Sequence, residues 1–336
     1  MDPTSNFSIH NRPEYVFFDY TLNWAILVTI VPLLYVIPTI CVMFKVYHGY
    51  RSQKTSVAKM TLDGSMFRLL IGYFCTNILF FFADFCRFNL PSSGLLTSWC
   101  AQLPPNHFFA AILMLTDYLN YCVVILPFMV TVIRVTILLS PNNHQQIRNW
   151  LMSYFICPFL LLVPLLSVLF LIPALGYCKQ LGPPFEFGSV YIYYTGAFLK
   201  LRSAYFLLAL SVSITSLSSI LSIIMTLKLR SGPYQNASSH TRKLTKKAER
   251  SLSVTMISAI VPMTTNTLVS VTTIWFPPVS FNFYFLKSIG NDFETVMMPW
   301  LLYLTHPVFR EKPKSSDGKE KGKMAWNTSQ VSSAVV

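Results

Sequence analysis

Long apolar runs alternate with short polar segments along the whole chain. Four runs contain no Asp, Glu, Lys or Arg, and these are Tyr20–Phe44, Asn149–Cys178, Ser203–Leu227 and the longer Ser251–Leu286, which has room for an aromatic turn at Trp275–Pro278. Three weaker runs each include an acid, and these are Met66–Phe85, Phe108–Ile133 and Leu286–Phe309. About 20 apolar residues in a helix cross a bilayer core. The pattern therefore predicts an all-α membrane protein, a bundle of seven transmembrane helices.

Composition supports this interpretation and excludes several other classes of protein. Of the 336 residues, 53% are hydrophobic and only 12% are charged, whereas a soluble domain carries about 25% charged residues. The net charge is nevertheless +13, from 26 basic and 13 acidic side chains. This combination excludes an ordinary soluble enzyme, a disordered protein and a disulfide-stapled secreted domain. Nucleic acid is not an expected partner, because long apolar runs separate the basic residues.

The basic residues fall in alternate connections between the predicted helices, which indicates an orientation. The first, third and fifth connections and the C-terminal tail are the basic ones. Basic loops remain on the cytoplasmic side of a membrane, so we expect the N-terminus outside and the C-terminus inside. The predicted organisation is an extracellular tail over 1–20, a receptor domain over 21–309 and a cytoplasmic tail over 310–336. Asn6 begins a glycosylation sequon on the outer tail.

The loop before the sixth run ends in a basic stretch that includes Lys246, Lys247 and Arg250. Basic clusters next to a membrane bind anionic lipid headgroups, and the same surface is also suited to an acidic partner helix. Both interpretations stay open.

Three of the cysteines lie on the predicted outer side, which is oxidising. Cys178 follows the fourth run and Cys100 precedes the third. A Cys100–Cys178 disulfide would hold the long second outer loop over the bundle, with Cys86 as the alternative partner.

Polar residues inside the apolar runs are the candidate functional residues, because a charge in the hydrocarbon costs about 2.5–3.5 kcal/mol on insertion scales. Asp117 is near the predicted midplane, and Asn120 and Tyr121 share its helical face. These three either line a ligand cavity open to the outside or form a structural cluster between helices. Asp292 and Glu294 in the last run form either a second polar wall of that cavity or interfacial groups near water.

Catalytic and cofactor motifs are not evident. The six histidines are scattered over loops and ends of runs, and no pattern typical of a zinc site, a nucleophile or a phosphate loop appears. We therefore expect no enzyme activity, no metal and no cofactor. A polytopic channel or transporter for a small solute is the alternative to a receptor. Arg134, at the inner end of the third run, is either a membrane anchor or a residue that contacts a cytoplasmic partner.

Motifs distributed over the whole chain resemble those of the nematode serpentine chemoreceptors, seven-transmembrane G-protein-coupled receptors, and most closely class U within the superfamily that includes class G. The residues that carry the resemblance are Ser8-Ile9-His10, Pro13-Glu14-Tyr15, Pro32-Leu33-Leu34-Tyr35, Ile37-Pro38-Thr39, Val132-Ile133-Arg134, Ser140-Pro141-Asn142-Asn143-His144, Ile172-Pro173-Ala174-Leu175-Gly176-Tyr177-Cys178, Phe185-Glu186-Phe187-Gly188, Ala248-Glu249-Arg250-Ser251-Leu252, Gly290-Asn291-Asp292, Pro299-Trp300 and Tyr303-Leu304-Thr305-His306-Pro307.

The resemblance implies a plasma-membrane receptor of chemosensory neurons that binds an external small molecule and activates a heterotrimeric G protein. It places Arg134 where such receptors carry the arginine of their third-helix motif, although Ile133 replaces the usual preceding acid. Coupling to the G protein is then expected through Arg134 and the second and third inner loops, with Arg148, Lys246, Lys247 and Arg250. The chemical identity of the ligand does not follow from the resemblance.

Overall fold

A computed structural model describes residues 8–22, 24–52, 64–139, 144–230, 250–253 and 260–310. Its long helices are α1 (Ala25–Ser52), α2 (Gly64–Asp84), α3 (His107–Leu139), α4 (Cys157–Val168), α5 (Ser203–Arg230), α6 (Ile260–Trp275) and α7 (Ser280–Thr305). Short helices cover Pro13–Val16, Leu90–Ser92, Thr97–Gln102, His144–Leu151 and Pro307–Arg310, and single 3-10 turns cover Leu169–Leu171, Phe198–Lys200 and Pro277–Val279. The protein is an all-α membrane bundle, as the apolar pattern predicts.

Two of these helices are prolonged by π-helical turns. The turn Phe85–Asn89 carries α2 on to Ser92, and the turn Met152–Ile156 joins the helix His144–Leu151 to α4. With these extensions the helical stretches Gly64–Ser92 and Asn149–Leu171 join α1, α3 and α5 in having the length and apolar composition to cross a membrane. Single π-helical turns are frequent at functional sites, and the one in α2 carries the residue on which the candidate site depends.

The observed helices differ from the predicted runs at three places. The first helix begins at Ala25, not Tyr20, and continues to Ser52 beyond Phe44, because a helix prolongs its polar end into the interface. The fourth run was predicted to extend to Cys178, but its helical part ends at Leu171 and a strand follows. The sixth helix ends at Trp275, before the predicted aromatic turn, and α7 begins at Ser280 rather than Leu286. The residues 280–286 therefore belong to the seventh helix.

A β-hairpin covers one end of the bundle, which we call the hairpin end. Strands β1 (Leu175–Gln180) and β2 (Val190–Thr195) pair antiparallel, with Cys178 opposite Ile192. A disulfide joins Cys178 to Cys100, and Gly176 also pairs with Asn106 just before α3. The N-terminal segment is tied to the same layer. The hairpin is thus attached to α3, to the segment before it and to the N-terminal residues.

The N-terminal segment adds a second connection to that layer. The backbone N–H of Ile9 donates to the carbonyl of Cys178 (3.2 Å), and that of Asn11 donates to Ala101 (2.9 Å). Ile9 and Tyr15 are buried in an apolar cluster with both disulfide cysteines. Residues 8–16 are consequently part of the folded cap.

Helix α3 is the most buried of the five described helices that could cross a membrane, and it packs against α2, α4 and α5. In its most apolar 18-residue stretch, 78% of the residues are buried, whereas the corresponding shares in α5 and α1 are 17% and 29%. Leu113, Ile125, Met129 and Ile133 of α3 are fully buried. The peripheral helices expose leucines and isoleucines, as expected for surfaces that face lipid.

Polar side chains link neighbouring helices across the interior. Trp300 of α7 donates its indole N–H to Thr39 of α1 (3.2 Å), and Ser288 of α7 donates to Asn89 (3.1 Å). Thr267 of α6 donates to Ser211 of α5 (3.1 Å). In the absence of water, such hydrogen bonds and close packing hold membrane helices together, at about 0.6–2 kcal/mol per bond.

Replacement of Gly176 by Ala should destabilise the hairpin end. A Cβ at position 176 would overlap the backbone and Cβ atoms of Phe109 and the backbone nitrogen of Ala110, whereas a Cβ at Gly72 would have no atom within 4 Å. Overpacking against backbone costs about 1–3 kcal/mol. We expect Gly176→Ala to lower the thermal unfolding midpoint of detergent-purified protein by several degrees and Gly72→Ala to leave it unchanged or slightly higher. Equal midpoints for the two variants would contradict the packing described here.

Candidate functional site

A buried ion pair joins α2 and α3 below the hairpin. The Nη1 atom of Arg87 donates to the Oδ1 atom of Asp117 at 2.5 Å, and the two side chains are 15% and 6% exposed. Arg87 reaches inward because the π-helical turn Phe85–Asn89 continues α2 past its regular end. A charge of either sign is costly in hydrocarbon, so each partner offsets the cost of burying the other.

Two small cavities lie on either side of Arg87. One has a volume of about 40 Å³ and is lined by Arg87, Asp117, Asn120, Tyr121 and Lys287, with residues of α5 and α6 closing its other side. The other, of about 20 Å³, is lined by Asp84, Arg87, Lys287, Ser288 and Tyr191. Since a water molecule needs about 10–15 Å³ of such space, the first cavity has room for about three waters. The larger cavity is small and has a mainly polar lining.

Several polar groups of the larger cavity keep unused bonding capacity. Oδ2 of Asp117 and Oδ1 of Asn120 are buried and accept no hydrogen bond from any described residue. The ammonium group of Lys287 has no carboxylate within 4 Å in the described part of the chain. A buried polar group without a partner costs about 1–3 kcal/mol, so these atoms favour the entry of water or of a polar ligand group.

An aromatic cluster, which we call the aromatic lid, separates the cavities from the hairpin surface. Tyr284 of α7 stacks on Phe88 with ring centroids 5.8 Å apart and contacts Tyr191 of β2 at 6.3 Å. Phe185 of the hairpin loop packs edge-on against Phe88 (5.8 Å), and Phe281 packs against Tyr191 (6.2 Å). The lid therefore combines residues from the helical stretch of α2, from α7 and from the hairpin.

The hairpin itself presents few charges above the lid. Burial raises the pKa of Tyr177 to about 12, and the neighbouring Tyr193 adds to this rise. Burial lowers the pKa of Lys179, whose ammonium group lies 5.4 Å from the centroid of the Tyr193 ring. Tyr177 therefore stays neutral at physiological pH, and the path from the hairpin to the site is mainly aromatic.

The structure brings together some of the polar residues predicted from the sequence and separates others. Asp117, Asn120 and Tyr121 line one cavity, but Asp292 and Glu294 are not among the residues that line either cavity. Glu294 is buried and accepts a hydrogen bond from the Tyr73 hydroxyl, and Asp292 interacts with Tyr35. α7 begins at Ser280, six residues earlier than the predicted start at Leu286. Glu294 therefore lies about 9 Å further along the helix from its first residue than predicted.

Sequence reasoning missed Arg87 and Lys287 as members of the site. Arg87 follows Phe85, where the second apolar run ends, and Lys287 lies at the edge of the last run. The available signal was the spacing of Asp84 and Arg87, which are three residues apart and so share a face if the helix continues. The structure shows that it does continue.

At the opposite end of the bundle, which we call the basic end, Arg134 joins α3 to the helical segment 250–253. Its Nη2 atom donates to the hydroxyl of Ser253 at 3.2 Å, and Arg134 is 5% exposed. Ser251 and Thr305 of α7 share a hydrogen bond of 2.5 Å. Three elements therefore meet at this end, and Arg134 is buried among them rather than extended towards water.

The other residues predicted to act at this end are only partly described. Arg250 is exposed beside Ser251, and Arg148 lies in the helix His144–Leu151. Lys246 and Lys247 lie outside the described residues, as does Asn6. Among the described residues, no three His, Cys, Asp or Glu side chains come together as a group that could hold a metal ion.

Comparison with known proteins gives a consistent result over almost the whole chain. Residues 9–312 match the family described as serpentine type 7TM GPCR chemoreceptor Sru. The chain is also 32% identical over 273 residues to serpentine receptor class U-26 of Caenorhabditis elegans, and this match covers 79% of the chain and 91% of that relative.

The ion pair predicts a distinctive pattern of stability in single and double variants. Asp117→Leu or Arg87→Met alone should lower the yield of folded protein strongly, because removal of one partner of a buried pair costs about 3–5 kcal/mol. The double variant Arg87→Met with Asp117→Leu should recover much of that loss, because both charges are gone. Fluorescence-detected size-exclusion chromatography of the four proteins measures the effect. Additive losses in the double variant would show that the two side chains do not act as a pair.

Proposed function

Since the chain belongs to the Sru family of serpentine seven-transmembrane chemoreceptors, we propose that it binds an external small molecule at the hairpin end and activates a heterotrimeric G protein at the basic end. The observation that carries this proposal is the family match over residues 9–312. The proposed location is the plasma membrane of chemosensory neurons.

The proposed orientation places the hairpin outside the cell. Disulfides persist in oxidising surroundings, which favours the extracellular side for Cys100–Cys178. Arg51, Arg134 and Arg250 lie towards the opposite end, in agreement with the excess of basic residues on cytoplasmic loops. Asn6 is then on the outer side, where glycosylation occurs, and the basic loops face the anionic lipids of the inner leaflet.

The proposed ligand site is the polar cavity below the aromatic lid. Asp117, Asn120 and Tyr121 supply acceptors and a hydroxyl, and Arg87 and Lys287 supply donors. A cavity of about 40 Å³ is much smaller than the roughly 300–1,000 Å³ of typical ligand sites. The ligand must therefore favour an arrangement in which the lid and the surrounding helices have moved apart, and this differential affinity is what a receptor requires.

The proposed coupling site is the contact of Arg134 with Ser253. A ligand-dependent shift of α3 or α6 would separate the two residues and expose the Arg134 guanidinium to a partner at the basic end. Arg148, Lys246, Lys247 and Arg250 are proposed to add positive charge around it, which suits an acidic surface of the G protein.

The packing of the interior favours a receptor over a channel or transporter. Between the polar cavity and the basic end, buried apolar side chains such as Met129, Ile133, Met298 and Leu302 interrupt the buried polar ones, such as Asn77 and Glu294. Conduction requires a continuous polar path, whereas a receptor needs only two alternative packings of its helices.

Asn120 provides a test of the ligand site. We expect cells that express the receptor to respond to a compound found by screening volatile, ascaroside-like and amine panels with a calcium readout. Asn120→Ala should then raise the half-maximal concentration of that compound about tenfold, the equivalent of one hydrogen bond of roughly 1.4 kcal/mol.

Asn266→Ala serves as the matched control, because Asn266 is equally buried, also has an unpartnered Oδ1 atom among the described residues and does not line the cavity. Equal potency shifts in the two variants would place the ligand elsewhere.

Arg134 and Ser253 provide a test of coupling. Ser253→Ala removes the acceptor of a charge-assisted hydrogen bond and should raise ligand-independent G-protein activation several-fold, whereas Arg134→Gln should reduce ligand-dependent activation. Resonance energy transfer between labelled G-protein subunits measures both, with surface labelling to normalise expression. Unchanged basal activity in Ser253→Ala together with full signalling in Arg134→Gln would remove this contact from the mechanism.

A further inference from the structure

A groove on the outside of the bundle, which we call the side groove, runs between α2, α3 and α4 in the half nearer the basic end. Its volume is about 640 Å³, which is within the range of ligand-sized sites. On α2 it extends from Ser65 to Thr76, and on the fourth helical stretch from Asn149 to Leu161. Leu161 is 56% exposed and Cys157 is also exposed, so the groove opens sideways towards lipid.

The length of the side groove matches one leaflet of a membrane. The helical rise of 1.5 Å per residue from Ser65 to Thr76 corresponds to about 16 Å, and half of a hydrocarbon core is about 15 Å thick. An acyl chain that follows the groove would therefore extend from the interface to the midplane.

The lining of the groove changes from polar to apolar along this length. Ser65, Arg68, Asn149 and Ser153 lie at the basic end of the groove. Leu126, Leu160 and Leu161 line the deeper part together with Thr76, Tyr118 and Cys122, and none of these side chains is charged. This gradient is that of a lipid molecule, with its headgroup at the interface and its chain in the interior.

Arginines at the mouth of the groove determine the sign of charge that it accepts. Arg68 is exposed and donates to the Ser65 hydroxyl at 3.3 Å. An adjoining depression of about 460 Å³ shares Ser65 and Arg68 and adds Arg51, which lies over the Tyr47 ring at 5.2 Å. Within the described ranges, neither guanidinium has a carboxylate within 4 Å. The mouth thus presents two cations to an anionic group.

Gly72 keeps the groove open at its middle. A Cβ atom built at this position meets no atom within 4 Å, although Gly72 lies inside a regular helix, where glycine costs about 0.5–1 kcal/mol relative to alanine. A larger side chain would fit there without a clash inside the protein and would fill the space available to a chain.

We propose that the side groove binds one anionic phospholipid of the cytoplasmic leaflet, with the headgroup phosphate at Arg68 and an acyl chain along Gly72. The proposal relies on the cytoplasmic placement of the basic end but not on the ligand or the G protein. A sterol would leave the two arginines without a counter-ion, and a zwitterionic lipid offsets its own phosphate with a choline group. Each arginine near an anionic surface is worth about 1 kcal/mol, so charge favours the anionic lipid.

The test uses the full-length protein in detergent, with phosphatidylserine, phosphatidylcholine or soluble glycerophosphoserine added. Thermal unfolding and native mass spectrometry report binding, because a ligand that binds only the folded state raises the unfolding midpoint. We expect phosphatidylserine to raise the midpoint and to remain bound in the mass spectrum, and the other two compounds to have little effect. Equal effects of phosphatidylserine and phosphatidylcholine would overturn the proposal, as would an equal effect of glycerophosphoserine, which lacks the acyl chains.

Three variants separate the headgroup contact from the chain contact. Arg68→Gln should weaken phosphatidylserine binding about fivefold, the ratio expected for loss of one arginine contact, and Gly72→Leu should abolish the stabilisation by occupying the groove. Lys45→Gln is the matched control. Like Arg68→Gln it removes an exposed positive charge near the basic end, but Lys45 is in α1 and does not line the groove. Wild-type binding by Arg68→Gln, or an equal loss in Lys45→Gln, would show that the lipid responds only to overall charge.

Discussion

The absence of water inside a membrane is the constraint on which this structure depends, and the Arg87–Asp117 pair is where it acts most strongly. Each of these charges alone would be costly in the hydrocarbon, and together they fix the approach of α2 to α3. The π-helical turn in α2 is needed for this contact because it carries the chain beyond Asp84 as helix. The two cavities and the aromatic lid lie next to that pair.

The cap above the pair is anchored at several points. The hairpin is held by the disulfide, by the pairing of Gly176 with Asn106 and by the backbone bonds of the N-terminal segment. These connections run to the α3 side, whereas the aromatic lid is shared with α2 and α7. The aromatic lid thus joins the anchored hairpin to α2 and α7.

The sequence predicted the membrane bundle well and the charge pairing poorly, for physical reasons. Apolar runs report the environment of a helix, so the number of runs and the aromatic turn after Trp275 followed from hydropathy. They do not report where a helix ends, because a turn such as Phe85–Asn89 continues helical geometry through polar residues. The apolar run ends at Phe85, before Arg87, so hydropathy did not indicate that Arg87 pairs with Asp117. The early start of α7 likewise moved Glu294 away from the predicted ligand wall, towards Tyr73.

The described contacts at the basic end include hydrogen bonds whose free energies can be compared with that of a conformational change. Arg134 donates to Ser253, and Ser251 and Thr305 share a hydrogen bond, and a bond of this kind is worth on the order of 1–3 kcal/mol. A shift from 1:99 to 99:1 requires about 5.5 kcal/mol of differential affinity. Asp117 and Arg134 lie on the same helix, about 26 Å apart along its axis and on different faces, so one faces α2 while the other faces the segment before α6. The two ends of α3 are thus attached to different neighbours, to α2 through the ion pair and to the segment before α6 through the Arg134–Ser253 hydrogen bond.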